Sequence, residues 1–119
     1  MARYVDGFVV PLTKRKVDEY RRLARQGGKV WKEYGALEFR ECVADDAPVG
    51  KVTSFPRSVK VKQGETVVFS WIVFKSRAHR DRVNAKVMAD PRIANMDPQK
   101  MPFDAKRMIY GGFEVIVDL

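Results

Sequence analysis

The feature that most constrains the fold is the segment Thr66–Phe74, which reads Thr-Val-Val-Phe-Ser-Trp-Ile-Val-Phe. Its β-branched and aromatic residues favour a strand, and both alternating faces of that strand are apolar. A strand that is apolar on both faces has to be covered on both sides. The chain must therefore place this strand inside a sheet and provide cover for each face.

The remaining segments predict three more strands and two helices. Apolar or small residues follow a helical period from Val17 to Tyr34, with Thr13 as the expected N-cap. Ser76 is the expected cap of a second helix, which ends at Asp90. The predicted strands are Tyr4–Val10, Ala36–Ala44, Thr66–Phe74 and roughly Lys106–Val117.

The resulting order, β-α-β-β-α-β, is that of a ferredoxin-like α+β unit. In this arrangement an antiparallel sheet carries two helices on one face. The whole chain, residues 1–119, is expected to form one such domain.

Two helices can cover only one face of a four-stranded sheet. The strands at 66–74 and 108–117 are apolar on both faces, and no third long helix is predicted for the second face. An exposed apolar patch of this size is unusual for a soluble monomer. We therefore expect a homodimer in which two copies pack sheet against sheet about a twofold axis and bury more than ~1,000 Å².

The formal charge is +8, and two predicted helical segments carry all of the excess. Residues 13–34 contribute +5 and residues 76–89 contribute +3. Charge alone gives weak attachment to phosphates, and the aromatic residues of the first helix fall on its core stripe, so nucleic acid is not the expected partner. A solvated basic face is favoured. The alternative function is a non-catalytic homodimer that binds a protein or RNA through this face.

Several functional classes are not expected from this composition. No apolar run approaches the ~20 residues of a membrane span, and no basic segment with a long apolar core marks a secretory signal. One Cys and one His do not suffice for a structural zinc site or an intrachain disulfide, so no metal or other cofactor is expected. The expected compartment is a reducing cytosol. The common enzyme motifs are missing, which leaves open whether the chain is an enzyme.

Polar residues on otherwise apolar strands are the candidate site residues. Asp6 shares a face of the first strand with Tyr4 and Phe8. The small residues of the opposite face fit better beneath the helices: Val5, Gly7 and Val9. Asp6 is therefore predicted to face an interior between two subunits, where a carboxylate among aromatic rings is suited to proton transfer as a catalytic residue. A salt bridge or a cap to a neighbouring loop is the commoner role of such a residue.

Four further residues are candidate ligand contacts. Arg40 and Cys42 share one face of the second strand, and Arg107 and Tyr110 lie on the last strand. An arginine in a pocket can hold a carboxylate through two parallel hydrogen bonds, and Tyr110 could orient a phenolic ligand. A structural ion pair is the commoner role of each arginine, and a buried, inert thiol is the commoner role of Cys42.

Several motifs resemble those of the YbaA-like family of small bacterial proteins of unknown function. They are Tyr4–Phe8, Glu41-Cys42, Asp45-Asp46, Gly50–Thr53, Val67–Ile72, Met88–Arg92 and the long stretch Met101–Phe113. The resemblance extends over the whole chain and implies a ferredoxin-like subunit in a dimeric α/β barrel, but it supplies no catalytic residues. We expect a small anionic or aromatic molecule to bind in the barrel interior, with cofactor-independent catalysis as an open question.

Overall fold

The computed structural model describes residues 1–119 and contains four strands and four helices. The strands are β1 (Tyr4–Thr13), β2 (Glu38–Val43), β3 (Glu65–Phe74) and β4 (Ile109–Glu114). The helices are α1 (Val17–Glu33), α2 (Phe55–Ser58), α3 (Arg77–Ala89) and α4 (Pro91–Ala94), with 3-10 turns at Lys14–Lys16 and Pro98–Lys100. The strands form one antiparallel sheet in the order β2-β3-β1-β4. The predicted element order and the antiparallel α+β sheet are confirmed.

The two long helices lie on the same face of the sheet. Val30 of α1 and Val83 and Val87 of α3 are buried in one cluster with Ile72 and Phe74 of β3. Burial of such side chains removes apolar area from water and stabilises the packing of the helices on the sheet. No helix combines the length and the apolar character that a membrane span requires.

The helix caps agree with the sequence in one case and not in the other. The hydroxyl of Ser76 accepts a hydrogen bond from the backbone N–H of His79 at 3.1 Å, which confirms the predicted cap of α3. Thr13 forms no such bond, because the 3-10 turn at 14–16 separates it from the first residue of α1. The predicted cap at Thr13 is therefore wrong.

A glycine on α1 permits a close approach to β2. A Cβ atom at Gly28 would lie 2.7 Å from the ring of Phe39, whereas one at Gly27 would meet Trp31 at 3.8 Å. Real Cβ contacts essentially never fall as short as the first distance. Gly28 therefore allows a helix–sheet separation that a side chain at this position would prevent.

The two faces of β1 are the reverse of the prediction. Tyr4, Phe8 and Val10 pack in the clusters beneath the helices, whereas Val9 packs on the other side of the sheet. Both faces of this strand are apolar, so alternation alone did not distinguish them. The larger residues fill the space under the helices, and the smaller ones lie on the opposite face.

The second face of the sheet is partly covered by the chain itself. Residues 44–64 cross one end of it, where Val59 packs against Val9 and Val67. The rest of this face carries Phe69 and Phe113, which are 41% and 62% exposed. The predicted shortage of cover is thus reduced by a segment for which the sequence predicted no covering role, but it is not removed.

Candidate functional site

Asp6 lies beneath the helices and is bound by groups from α3. Its carboxylate accepts hydrogen bonds from the Arg80 guanidinium at 2.8 Å and from the Asn84 amide at 3.2 Å, and the residue is 5% exposed. The predicted place of Asp6 in an interior between subunits is therefore wrong. Arg80, 74 residues later in the chain, supplies the salt bridge that the sequence offered as the alternative role.

Arg107 is held in a second ion-pair cluster. Its guanidinium donates to both oxygens of Glu65 at 2.8 and 2.7 Å and to Asp104 at 2.8 Å. Hydrogen bonding to Glu65 is the largest cause of its raised pKa, and the same bond lowers the pKa of Glu65. The cluster connects the start of β3 to the loop before β4, so the donors of Arg107 are already used within the chain.

The other predicted ligand contacts do not come together. Arg40 and Cys42 are both exposed on the face away from the helices, and Arg40 forms a loose ion pair with Glu38 at 3.6 Å. Cys42 is thus not buried within the subunit, contrary to the expectation. Tyr110 lies on the opposite face, stacked on Phe8 with ring centroids 6.2 Å apart, and is 73% exposed.

A different candidate site lies between α1, the sheet and the loop at 95–108. An inner cavity of about 350 Å³ has mainly apolar walls, which include Phe8, Leu23, Trp31, Ile72, Met96 and Phe103. An open groove of about 740 Å³ runs along α1 and the edge strand β2. Tyr20, Ala24, Phe39 and Glu41 line both volumes, so the groove adjoins the cavity.

A carboxylate and a phenol meet at this junction. The Tyr20 hydroxyl donates to Glu41 Oε1 at 2.7 Å, and Glu41 lies opposite Ser70 in the β2–β3 ladder. Glu41 is exposed at the edge strand β2, and its carboxylate is turned toward Tyr20, where the hydrogen bond is partly buried. No Lys or Arg forms an ion pair with this carboxylate.

The environment of Tyr20 and Glu41 raises the pKa of both groups. Desolvation raises the pKa of Glu41, although the hydrogen bonds to Tyr20 and Ser70 act in the opposite direction. Burial also raises the pKa of the Tyr20 hydroxyl, and the nearby charge of Glu41 adds to that shift. The phenol therefore stays protonated as a donor, while the carboxylate holds its proton to higher pH than an exposed glutamate. No group of three or more His, Cys, Asp or Glu side chains is placed to hold a metal ion.

The outer groove has a basic rim supplied by α1. The cations along it are Arg21, Arg25, Lys29 and Lys32. Arg21 and Lys32 have partners within the chain, a carboxylate and a backbone carbonyl. Arg25 and Lys29 are exposed, and no side-chain hydrogen bond or ion pair involves them. The rim thus presents two cations without anionic partners above an apolar floor.

Sequence reasoning did not find Tyr20 and Glu41 as a site. The helical period of α1 places Tyr20 on the core stripe, and the residue is 9% exposed, as a core residue would be. Glu41 carried the stronger signal, because it shares the inner face of β2 with Phe39 and Val43. An acid on an otherwise apolar, helix-facing strand is the pattern that could have indicated the site.

The fold and the cavity define a class: a small ferredoxin-like α+β protein with a ligand-sized space between its helices and its sheet. Two solved structures share the fold. A NIPSNAP domain protein from Burkholderia xenovorans matches with a TM-score of 0.58 and 17% identity over 92% of this chain and 91% of that one. A dimeric ferredoxin-like protein from an uncultured marine organism matches with a TM-score of 0.60 and 12% identity over 100% of both chains. At these identities the similarity establishes the fold alone.

The chain belongs to the family of proteins of unknown function DUF1428, whose family model matches residues 3–105. It is 52% identical over 116 residues to the uncharacterised protein YbaA of Escherichia coli K12, and the match covers 98% of each chain. The YbaA protein of Shigella flexneri matches to the same extent. The predicted membership in a YbaA-like family is confirmed, and the function has to be argued from the site.

Proposed function

We propose that the protein is a homodimer that binds a small, largely apolar anionic molecule between α1 and the sheet of each subunit. The observation that carries this proposal is an apolar cavity of about 350 Å³ next to a groove edged by Arg25 and Lys29. Ligand pockets in proteins have volumes of this order, with mainly apolar walls and a few polar groups. An aromatic or branched group would fill the inner cavity, and an anionic group would lie near the two cations.

This proposal keeps the kind of ligand that the sequence indicated and changes its place. The expected site was a barrel interior between two sheets, lined by Asp6 and Arg107. Both residues are instead bound in ion pairs within the subunit. The proposed site therefore lies inside each subunit. Arg40 lines part of the inner cavity and Cys42 lines part of the groove, so two of the predicted ligand contacts remain at its edge.

A pair of probe molecules, one charged and one neutral, tests the ligand site. We expect 2-naphthoate to bind, and we expect its neutral analogue 2-naphthylmethanol to bind without help from the rim. Replacing Arg25 and Lys29 together by Gln should weaken 2-naphthoate binding about tenfold, equivalent to about 1.4 kcal/mol, and leave the neutral analogue unchanged. Arg22→Gln is the matched control, because Arg22 is exposed on the same helix and lines neither volume.

The outcomes separate the parts of this proposal. Calorimetry that finds no binding of either compound would contradict a ligand cavity. Equal weakening by the double variant and by Arg22→Gln would contradict a role of the rim. Strong binding of RNA at low salt, lost in the double variant, would favour the alternative of a partner on the basic helices.

The uncovered part of the second sheet face supports the homodimer. Phe69, Trp71, Ile109 and Phe113 lie on it, and the segment at 44–64 covers only one end. One neighbour in fold is described as dimeric. Pairing of two such faces, as in an α/β barrel, would cover these side chains and remove their apolar area from water.

Light scattering checks the assembly. We expect about twice the subunit mass of 13.7 kDa at micromolar concentration. Phe113→Lys should reduce the mass toward that of one subunit, because a charge on this face opposes burial. Val52→Lys is the control, since Val52 is 92% exposed in the loop at 44–64 and its replacement should leave the mass unchanged. A wild-type mass of one subunit would contradict the homodimer.

A further inference from the structure

We infer that Glu41 exchanges a proton with the bound molecule, and that this molecule is a 2-oxo carboxylate with an aromatic or branched apolar group. The inference rests on the proposed ligand cavity and specifies the chemistry at its centre. Its main support is position: Glu41 is the acid that lines both the inner cavity and the groove with the basic rim.

The partners of Glu41 set it apart from the other acids that accept hydrogen bonds from side chains. Asp6, Glu65 and Asp90 each bind an arginine within 3 Å. Glu41 is bound by the hydroxyl of Tyr20 at 2.7 Å and has no cationic partner. An acid whose charge is compensated only by neutral hydroxyls retains basicity that an arginine would remove. Such a carboxylate is a stronger base than one paired with an arginine, and it is suited to accept and return a proton.

The layout of the site selects the ligand class. A carboxylate at Arg25 and Lys29 and an apolar group in the inner cavity would place the middle of the ligand at the junction, beside Glu41. In a 2-oxo acid the carbon next to the carbonyl carries weakly acidic hydrogens and lies between these two ends. A 2-oxo acid thus carries an anion, an acidic C–H and an apolar group in the same order in which the site presents the two cations, Glu41 and the inner cavity.

The step is a reversible proton transfer that needs no further reactant. A carboxylate oxygen of Glu41 takes the proton from the carbon beside the carbonyl. The electron pair of the broken C–H bond forms the C=C bond of an enolate, and the negative charge moves to the carbonyl oxygen. Return of the proton from Glu41 to carbon restores the keto acid, and its return to oxygen gives the enol. Tyr20 acts as a positioning residue that orients the carboxylate through its hydrogen bond.

Deuterium exchange with phenylpyruvate as the probe tests the inference on the full chain. In D₂O we expect the wild-type protein to accelerate loss of the methylene proton signal about a hundredfold or more over a protein-free blank of the same buffer. Glu41→Gln should reduce the rate to that of the blank while binding phenylpyruvate within about threefold of wild type. Arg22→Gln should exchange like wild type.

A second variant separates positioning from packing. Tyr20→Phe removes a hydrogen bond that lowers the pKa of Glu41, so the acidic limb of the exchange rate should move to higher pH. A loss of thermal stability with the limb unmoved would show that Tyr20 only fills space. Binding of phenylpyruvate without faster exchange would overturn proton transfer and leave the cavity proposal intact. Absence of phenylpyruvate binding with 2-naphthoate still bound would overturn the 2-oxo acid inference alone, and absence of binding of both would overturn the cavity proposal as well.

Discussion

Asp6 and Glu41 are carboxylates on the same face of the sheet, yet their surroundings differ. Asp6 is covered by α3 and receives hydrogen bonds from Arg80 at 2.8 Å and Asn84 at 3.2 Å. Glu41 is exposed on the edge strand beside α1, which supplies the phenol of Tyr20 and no cation. A buried charge with a matched partner holds two elements together, whereas one without a cation keeps a larger cost of lost hydration. The helix beside each acid therefore decides whether the acid has a cationic partner.

The largest loss of stability is expected when the carboxylate of Asp6 stays charged and its cationic partner Arg80 is removed. Arg80→Ala should lower the free energy of unfolding by about 3 kcal/mol, because it leaves a buried carboxylate unpaired. Urea unfolding monitored by circular dichroism measures this. Arg77→Ala is the control on the same helix, where the side chain is exposed and makes no ion pair, and it should change stability by less than about 0.5 kcal/mol. If Arg80→Ala and Arg77→Ala were equally stable, pairing with Arg80 would not distinguish Asp6 from Glu41.

Neutralising Asp6 itself should have a smaller effect of the same sign. Asp6→Asn keeps a side-chain oxygen that can accept from Asn84 but loses the charge that pairs with Arg80. We expect a loss of about 1–3 kcal/mol in the same unfolding measurement, the range for a hydrogen bond to a charged group. Arg80 is 20% exposed and can turn partly to water, so the loss should stay below that of Arg80→Ala. A gain in stability would mean that the ion pair costs more than it contributes.

Replacing the carboxylate of Glu41 by an amide should have the smallest effect on stability, and it should stabilise the protein rather than destabilise it. The pKa of Glu41 is raised above the ordinary 4.5, so the folded protein holds this proton more tightly than the unfolded chain does. Wild-type stability contributed by this group is therefore lost as pH rises from 4.5 through the raised value. Glu41→Gln cannot ionise and escapes that loss. Its melting temperature should exceed that of wild type by a few degrees at about pH 8, and the difference should shrink at about pH 4.

Comparison of thermal melts at the two pH values decides this prediction. Asp6→Asn serves as the paired variant, since it should be less stable than wild type at the higher pH. A Glu41→Gln protein that is less stable than wild type at both pH values would show that Glu41 stabilises the fold in the way that Asp6 does.

Local patterns predicted the architecture because its determinants are local. The strand at 66–74 and the Ser76 cap follow from short stretches of sequence, and both are present in the structure. The facing of β1 was mispredicted because Tyr4 and Val5 begin two apolar faces that alternation cannot rank. The deciding contact is made with Arg80, 74 residues from Asp6.

The place of Arg107 was mispredicted for a related reason. The partner of Arg107 lies 42 residues away at Glu65, and nothing near Arg107 in the sequence indicates that pair. Glu41 is a candidate because it lines a cavity, and the loop at 95–108 forms part of the wall of that cavity. This loop has no periodic pattern from which its position could be predicted. Pairings across the fold and the empty space between elements are properties of the assembled chain.

The glycine at position 28 has a consequence for what can enter the site. The ring of Phe39, which a Cβ atom at Gly28 would meet at 2.7 Å, forms part of the wall of both the groove and the inner cavity. The helix backbone at Gly28 lines the groove, so this backbone and the Phe39 ring lie where the two volumes adjoin. A methyl group at Gly28 would displace one of them and change the width of the space there. A residue without any functional group would thus limit the shapes of molecule that fit, separately from the charged groups of the site.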